Sequence, residues 1–139
     1  MEMSEWALLG FVVWTLLVLQ FGIGLPRISA VLAKRARPGS FNPSVVHGTE
    51  RYQRSMRAHL NCLENLPLFA TLVLLGAHLG MRGWQFQLAA AAVLPARMLQ
   101  TVAHISSGRD RVVLVRFSAF TVQLVCFFVM AALIALHAI

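Results

Sequence analysis

The sequence predicts an all-α fold: an integral membrane four-helix bundle formed by one domain spanning residues 1–139. Three observations carry this. Of the 139 residues, 58% are hydrophobic and only 12% are charged, whereas an average soluble domain is roughly half apolar and about a quarter charged. The mean hydropathy is +0.71. The apolar residues are also gathered into four segments: the first and fourth reach the ~20 residues that a spanning helix needs, and the second and third qualify if their polar groups face protein rather than lipid. Backbone groups in hydrocarbon must be satisfied within the protein, which favours helices, and four helices of this length favour a bundle.

The elements follow in order, with helices predicted at about 5–33, 49–80, 83–105 and 112–138. The first contains residues 6–26, which carry no charge. Acidic Glu2 and Glu5 precede it, and the run is longer than the ~7–15 residues of a signal-peptide core. It is therefore expected to be a permanent helix. Residues 35–46 contain Pro38, Gly39, Asn42 and Pro43 and are predicted to be the longest, irregular loop. The second helix is expected to open near Thr49 or Glu50, with Pro67 as a possible bend that neighbouring helices can satisfy. Gly80-Met81-Arg82-Gly83 reads as a tight turn, and Ser106 to Asp110 as the third loop. The fourth helix is built on the last apolar segment, which runs from 117 to 139, again without a charge.

Charge is placed unevenly. The formal net charge is +7. Arg27, Lys34, Arg35, Arg37, Arg51, Arg54 and Arg57 flank the first loop, and Arg97, Arg109, Arg111 and Arg116 flank the third. The second loop has Arg82 alone. The positive-inside rule then puts loops one and three in the cytoplasm and both termini outside. The basic excess is explained by topology and by anionic head groups. No soluble basic domain is left to bind nucleic acid. Cys62 and Cys126 are the only cysteines. Their spacing suggests no metal site, and each is expected to pack as a small hydrophobe.

Three polar stripes interrupt the apolar helices. Arg57, Asn61 and Glu64 fall at i, i+4 and i+7, with Glu50 and Arg54 extending the stripe. Arg97, Gln100, Thr101 and His104 fall at i, i+3, i+4 and i+7. Arg116, Phe120 and Gln123 open the last helix. Such spacing puts each set on one helix face. All three lie in the helix halves nearest loops one and three, so they can meet at one depth. Ionisable groups inside a membrane are costly and normally face the bundle interior. Arginines in excess over Glu64 call for an anionic ligand, because guanidinium groups bind carboxylates through paired hydrogen bonds. Structural alternatives exist. Arg57 and Glu64 can brace each other, Arg116 can snorkel to lipid phosphates, and Gln123 suits a helix–helix hydrogen bond. His59 and His104 allow a bis-histidine haem reading, in a haem-carrying subunit or a small transporter.

The run Arg54-x-x-Arg57-Ala58-His59-x-Asn61-x-x-Glu64-Asn65-Leu66-Pro67-Leu68-Phe69 resembles the second helix of the MAPEG family, the membrane-associated proteins of eicosanoid and glutathione metabolism. Arg97 resembles that family's third-helix arginine, and Arg116-Phe117-Ser118-Ala119-Phe120 the start of its fourth helix. The resemblance spans essentially the whole chain. It implies a homotrimer with a glutathione site at each subunit interface, open to the cytoplasm, and a lipophilic substrate arriving from the membrane lipids. By likeness Arg57, Asn61 and Glu64 hold the glutathione backbone, assisted by Arg97, and Arg27 matches the first-helix arginine. Arg116 lies near the sulfur and stabilises the thiolate, with His104 and Phe120 at neighbouring positions. Some expected hydroxyls are missing. His104 and Phe120 stand where tyrosine is frequent, Phe117 where serine is common, and Leu60 where some prostaglandin-forming members have arginine.

The implied activity is that of a glutathione-dependent transferase or peroxidase acting on lipophilic electrophiles or lipid hydroperoxides. The rival on the same fold is a non-catalytic lipid-binding scaffold. The chain's brevity suggests a bacterial inner-membrane protein.

Overall fold

The computed structural model describes residues 1–42 and 47–137. Four helices among them are long and apolar enough to cross a membrane, Met3–Leu32, Glu50–His78, Trp84–Ser106 and Asp110–His137, and these residues contain no strand. Residues 43–46 of the predicted irregular loop, and position 138 of the last predicted helix, lie outside the described residues.

The first span is not one regular helix. α1 (Met3–Leu19) opens with the Glu2 N–H donating to Glu5 Oε2 at 2.8 Å. A π-helical turn follows at Gln20–Gly24, and α2 (Leu25–Leu32) completes the span. Sequence periodicity predicts none of this. The cause is local. Pro26 has no N–H to donate one turn back, so the ladder widens just before it. Gly22 sits where a Cβ would stand 3.0 Å from Ser55 Cβ, so the bare backbone lets the widened turn pack on the next span.

α3 (Glu50–His78) starts where predicted. Thr49 is its N-cap, the hydroxyl accepting from the Tyr52 N–H at 3.3 Å, and Glu50 sits in the positive first turn. Pro67 lies inside a continuous helix, and the Thr71 hydroxyl donates to the Pro67 carbonyl at 2.8 Å. Gly80 turns the chain with φ of +70°, a conformation glycine adopts at no steric cost. α4 (Trp84–Ser106) and α5 (Asp110–His137) form the most extensive helix pair, while α1 packs on both α3 and α4.

The interior has two characters. Toward the turn between α3 and α4, Phe69, Val73, Phe86, Ala90, Met130 and Ile134 pack together. The Phe69 ring lies 5.6 Å from Phe11 and 5.9 Å from Phe127. Gly76 leaves room for the Phe86 ring, which a Cβ would strike. At the same end the Ser4 N–H donates to Gln87 Oε1 at 2.8 Å, pinning α1 to α4. Toward the other end the buried residues become polar: Asn65, Arg97, Gln100, Thr101 and Gln123. The outer surface is apolar instead, with Leu16, Leu68, Leu74, Leu99, Val125 and Phe128 exposed, as lipid-facing positions should be.

Candidate functional site

The polar residues singled out by spacing occupy two tiers rather than one. The inner tier is a buried chain of hydrogen bonds across α3, α4 and α5. Arg97 Nη1 donates to Asn61 Oδ1 at 3.0 Å. Gln100 Nε2 reaches the same oxygen at 3.5 Å. Gln123 Nε2 donates to Gln100 Oε1 at 2.9 Å and to the Ala119 carbonyl at 3.0 Å. Gln123 thus ties α5 to α4, as its sequence setting suggested. Asn61 is held from behind, because Asn65 Nδ2 donates to the Asn61 carbonyl at 2.8 Å.

Arg97 is the unusual member. It is 1% exposed, yet among the described residues its Nε and Nη2 have no hydrogen-bond partner, and neither does Gln123 Oε1. The guanidinium carbon lies 5.2 Å from the centre of the Phe11 ring. A desolvated cation–π contact of this kind is worth about 2 kcal/mol. Cys62 packs beside it, its sulfur 3.7 Å from the Thr101 hydroxyl. Glu64 is within electrostatic reach of Arg97, but the two form no salt bridge among the described residues. A buried cation with two unpartnered nitrogens can still receive an acceptor.

The outer tier is an open cleft of about 330 Å³, lined by Glu50, Arg54, Arg57, His104 and Arg116 together with Gln53, Ser107 and Gly108. Three arginines and a histidine meet one carboxylate there. That carboxylate is already engaged: Arg54 Nη1 lies 3.2 Å from Glu50 Oε2. Arg54 Nε also donates to the Ile105 carbonyl at 3.1 Å, closing the C-terminal end of α4. Arg57 and Arg116 form no hydrogen bond or ion pair among the described residues. Arg57 is exposed and Arg116 half-buried. The Arg57–Glu64 brace allowed by the spacing is not formed, and Glu64 stands exposed on α3.

The predicted set therefore divides. Arg57, His104 and Arg116 share the cleft, Asn61 and Arg97 form the buried tier, and Glu64 flanks that tier. Phe120 lies half-buried one turn beyond Arg116. Arg27 is not with them: its Nε donates to the Tyr52 hydroxyl at 2.6 Å, and its guanidinium lies over the Phe41 ring. His59 and His104, the haem alternative, have separate settings. His59 lies half-buried near Thr15, and His104 lines the cleft.

Sequence reasoning did not single out Phe11, the aromatic partner of Arg97. It sits in an uninterrupted apolar run, so nothing distinguishes it from its neighbours. Tyr52 was equally unmarked, although it is the only tyrosine in the chain.

No individual curated protein matches the chain. The model of the MAPEG family matches residues 6–136. That match runs through all four spans and both tiers of polar residues. The chain belongs to the MAPEG family, integral membrane four-helix bundles that include glutathione transferases and peroxidases.

Proposed function

We propose that this protein is a membrane-embedded, glutathione-dependent transferase or peroxidase acting on lipophilic electrophiles or lipid hydroperoxides. The observation that carries the reading is the surplus of unpaired guanidinium groups. Arg57 and Arg116 line a cleft whose one carboxylate is held by Arg54, and Arg97 keeps two unpartnered nitrogens in the tier beneath. Glutathione brings two carboxylates and one ammonium, a charge pattern that matches Arg57 and Arg97 on one side and exposed Glu64 on the other.

In this reading Arg57, Asn61, Glu64 and Arg97 hold the tripeptide, while His104 and Phe120 line the region of the sulfur. Arg116 faces the sulfur and favours its thiolate over the thiol. The thiol proton leaves to solvent. With an electrophile, sulfur forms a bond to carbon and the leaving group departs with its electron pair. With a hydroperoxide, sulfur attacks the distal oxygen, the O–O bond breaks, and the alkoxide takes a proton to become the alcohol. The sulfenic acid condenses with a second glutathione, releasing water and giving the disulfide. Two thiols thus supply the two electrons.

A homotrimer completes the site. Arg57 and Glu64 are exposed on the single subunit, and a neighbouring copy would cover them and keep an acid at membrane depth away from lipid. Loops one and three lie in the cytoplasm, where glutathione is available to the cleft, and both termini lie outside. The bacterial inner membrane is the setting in which we place it.

Calorimetric titration of the detergent-purified protein with glutathione tests the reading. Binding by the wild type, lost in Arg57→Ala and Glu64→Ala, supports it. A wild type that binds no glutathione overturns it and favours the lipid-binding scaffold. Turnover screens with electrophiles and lipid hydroperoxides then separate an enzyme from a binder.

A further inference from the structure

Arg27 stands apart from the cleft and belongs to a different construction. The end of α2 is closed by paired turns, in which the Lys34 N–H donates to the Val31 carbonyl and the Arg35 N–H to the Ala30 carbonyl, each at 2.9 Å. Lys34 adopts φ of +55° to allow this, a position normally given to glycine. The reversal brings Arg35 back to a cup of about 420 Å³ that it lines with Arg27, Ser40, Phe41, His47 and Tyr52. Arg27 is fixed there from both sides. Its Nε donates to the Tyr52 hydroxyl at 2.6 Å, and its guanidinium lies 5.3 Å from the Phe41 ring centre and 5.9 Å from that of Tyr52. Among the described residues these contacts leave its two terminal nitrogens for a ligand.

The cup does not end at the membrane boundary. Pro26, Thr49 and Tyr52 also line a second groove of about 530 Å³, which continues along α1 past Phe21, Leu17 and Trp14. From Arg27 to Trp14 is thirteen residues, about 20 Å of helix at 1.5 Å per residue. One leaflet, counted from its head groups to the midplane, is half of a bilayer about 40–45 Å thick. A basic cup at the interface, joined to an apolar furrow as long as one leaflet is deep, has the shape and polarity of an amphiphile with an anionic head.

We propose that this composite groove binds one anionic phospholipid of the surrounding bilayer, its phosphate on Arg27 and Arg35 and one acyl chain along Leu17 and Trp14. The lipid fills the furrow that Leu17, Phe21, Tyr52 and Ser55 line between α1 and α3. The site is separate from the basic cleft, in both its residues and its ligand.

Trp14 reports on the occupant directly. The protein carrying Trp6→Phe and Trp84→Phe, both at exposed positions, retains Trp14 as its one tryptophan. It is reconstituted in phosphatidylcholine vesicles containing a minor fraction of lipid brominated on its acyl chains, either phosphatidylglycerol or phosphatidylcholine. Brominated phosphatidylglycerol is expected to quench Trp14 at several-fold lower mole fraction. Arg27→Ala and Arg35→Ala should each weaken that preference about five-fold, and Arg35→Ala should retain glutathione binding. Equal quenching by the two lipids overturns the proposal. So does quenching by neither, which means a neighbouring subunit fills the groove. Loss of glutathione binding in Arg35→Ala also overturns it, since the cup would then be part of the thiol site.

Discussion

The two ends of the bundle solve opposite problems. Toward the α3–α4 turn, Phe69, Val73, Ala90 and Met130 are fully buried, and the aromatic rings stack across three helices. Toward loops one and three the helices bury polar groups instead. Among the described residues, three of the four side chains that bury a polar atom without a partner, His59, Arg97 and Gln123, belong to the polar layer, while Trp14 packs against the apolar core. A finished core needs no ligand, whereas an unfinished polar layer is held in place by the finished one and remains available for binding. In this protein the closed apolar core and the open polar layer are therefore separated along the bundle axis.

Substitutions can break that division, and the largest effect is expected at Phe69. Phe69→Ala removes a ring that touches Phe11 and Phe127, and large-to-small changes of this kind cost about 3–5 kcal/mol. Reversible unfolding in mixed micelles should show the loss, while glutathione affinity in the folded fraction stays near wild type. Arg116→Ala should do the reverse. Removing one preorganised donor typically lowers kcat about 100-fold or more, and thermal unfolding should hardly move.

Gly76→Ala comes next. The new methyl group meets the Phe86 ring, and overpacking of this kind costs about 1–3 kcal/mol, read by the same unfolding assay. The smallest effect is expected at the polar layer's own braces. Gln123→Leu removes the hydrogen bond to Gln100, and interhelical bonds in membranes average about 0.6 kcal/mol. A change above 2 kcal/mol there would mean that the polar half carries stability as well.

Much of this was legible in the sequence, and the reasons differ by residue. The first and fourth spans follow from charge-free runs whose length matches the bilayer, and the second and third from apolar segments whose few polar groups must face protein. Asn61, Arg97 and Gln123 were visible because polar groups in such runs are rare and must find one another. Their division into two tiers was not visible. A spacing of i, i+4 and i+7 fixes a shared face but not which member turns inward, and Asn61 turns in while Arg57 and Glu64 stay out. The π-helical turn was hidden because Pro26 and two glycines can also sit in a regular helix. The setting of Arg27 was hidden in the same way: its place along the chain suits the cleft, but within the subunit it lies against Tyr52. Phe11 could not be found at all, since a ring that receives a cation looks in sequence like any other apolar residue.

The central claim is that the basic cleft turns a bound thiol into a thiolate, and thiolate absorbance in the ultraviolet during glutathione titration tests it most directly. The wild type should develop one thiolate per occupied site, with matching proton release. Arg116→Ala should bind glutathione yet develop little or none. Binding by the wild type without a thiolate signal, or an undiminished signal in Arg116→Ala, would contradict the claim.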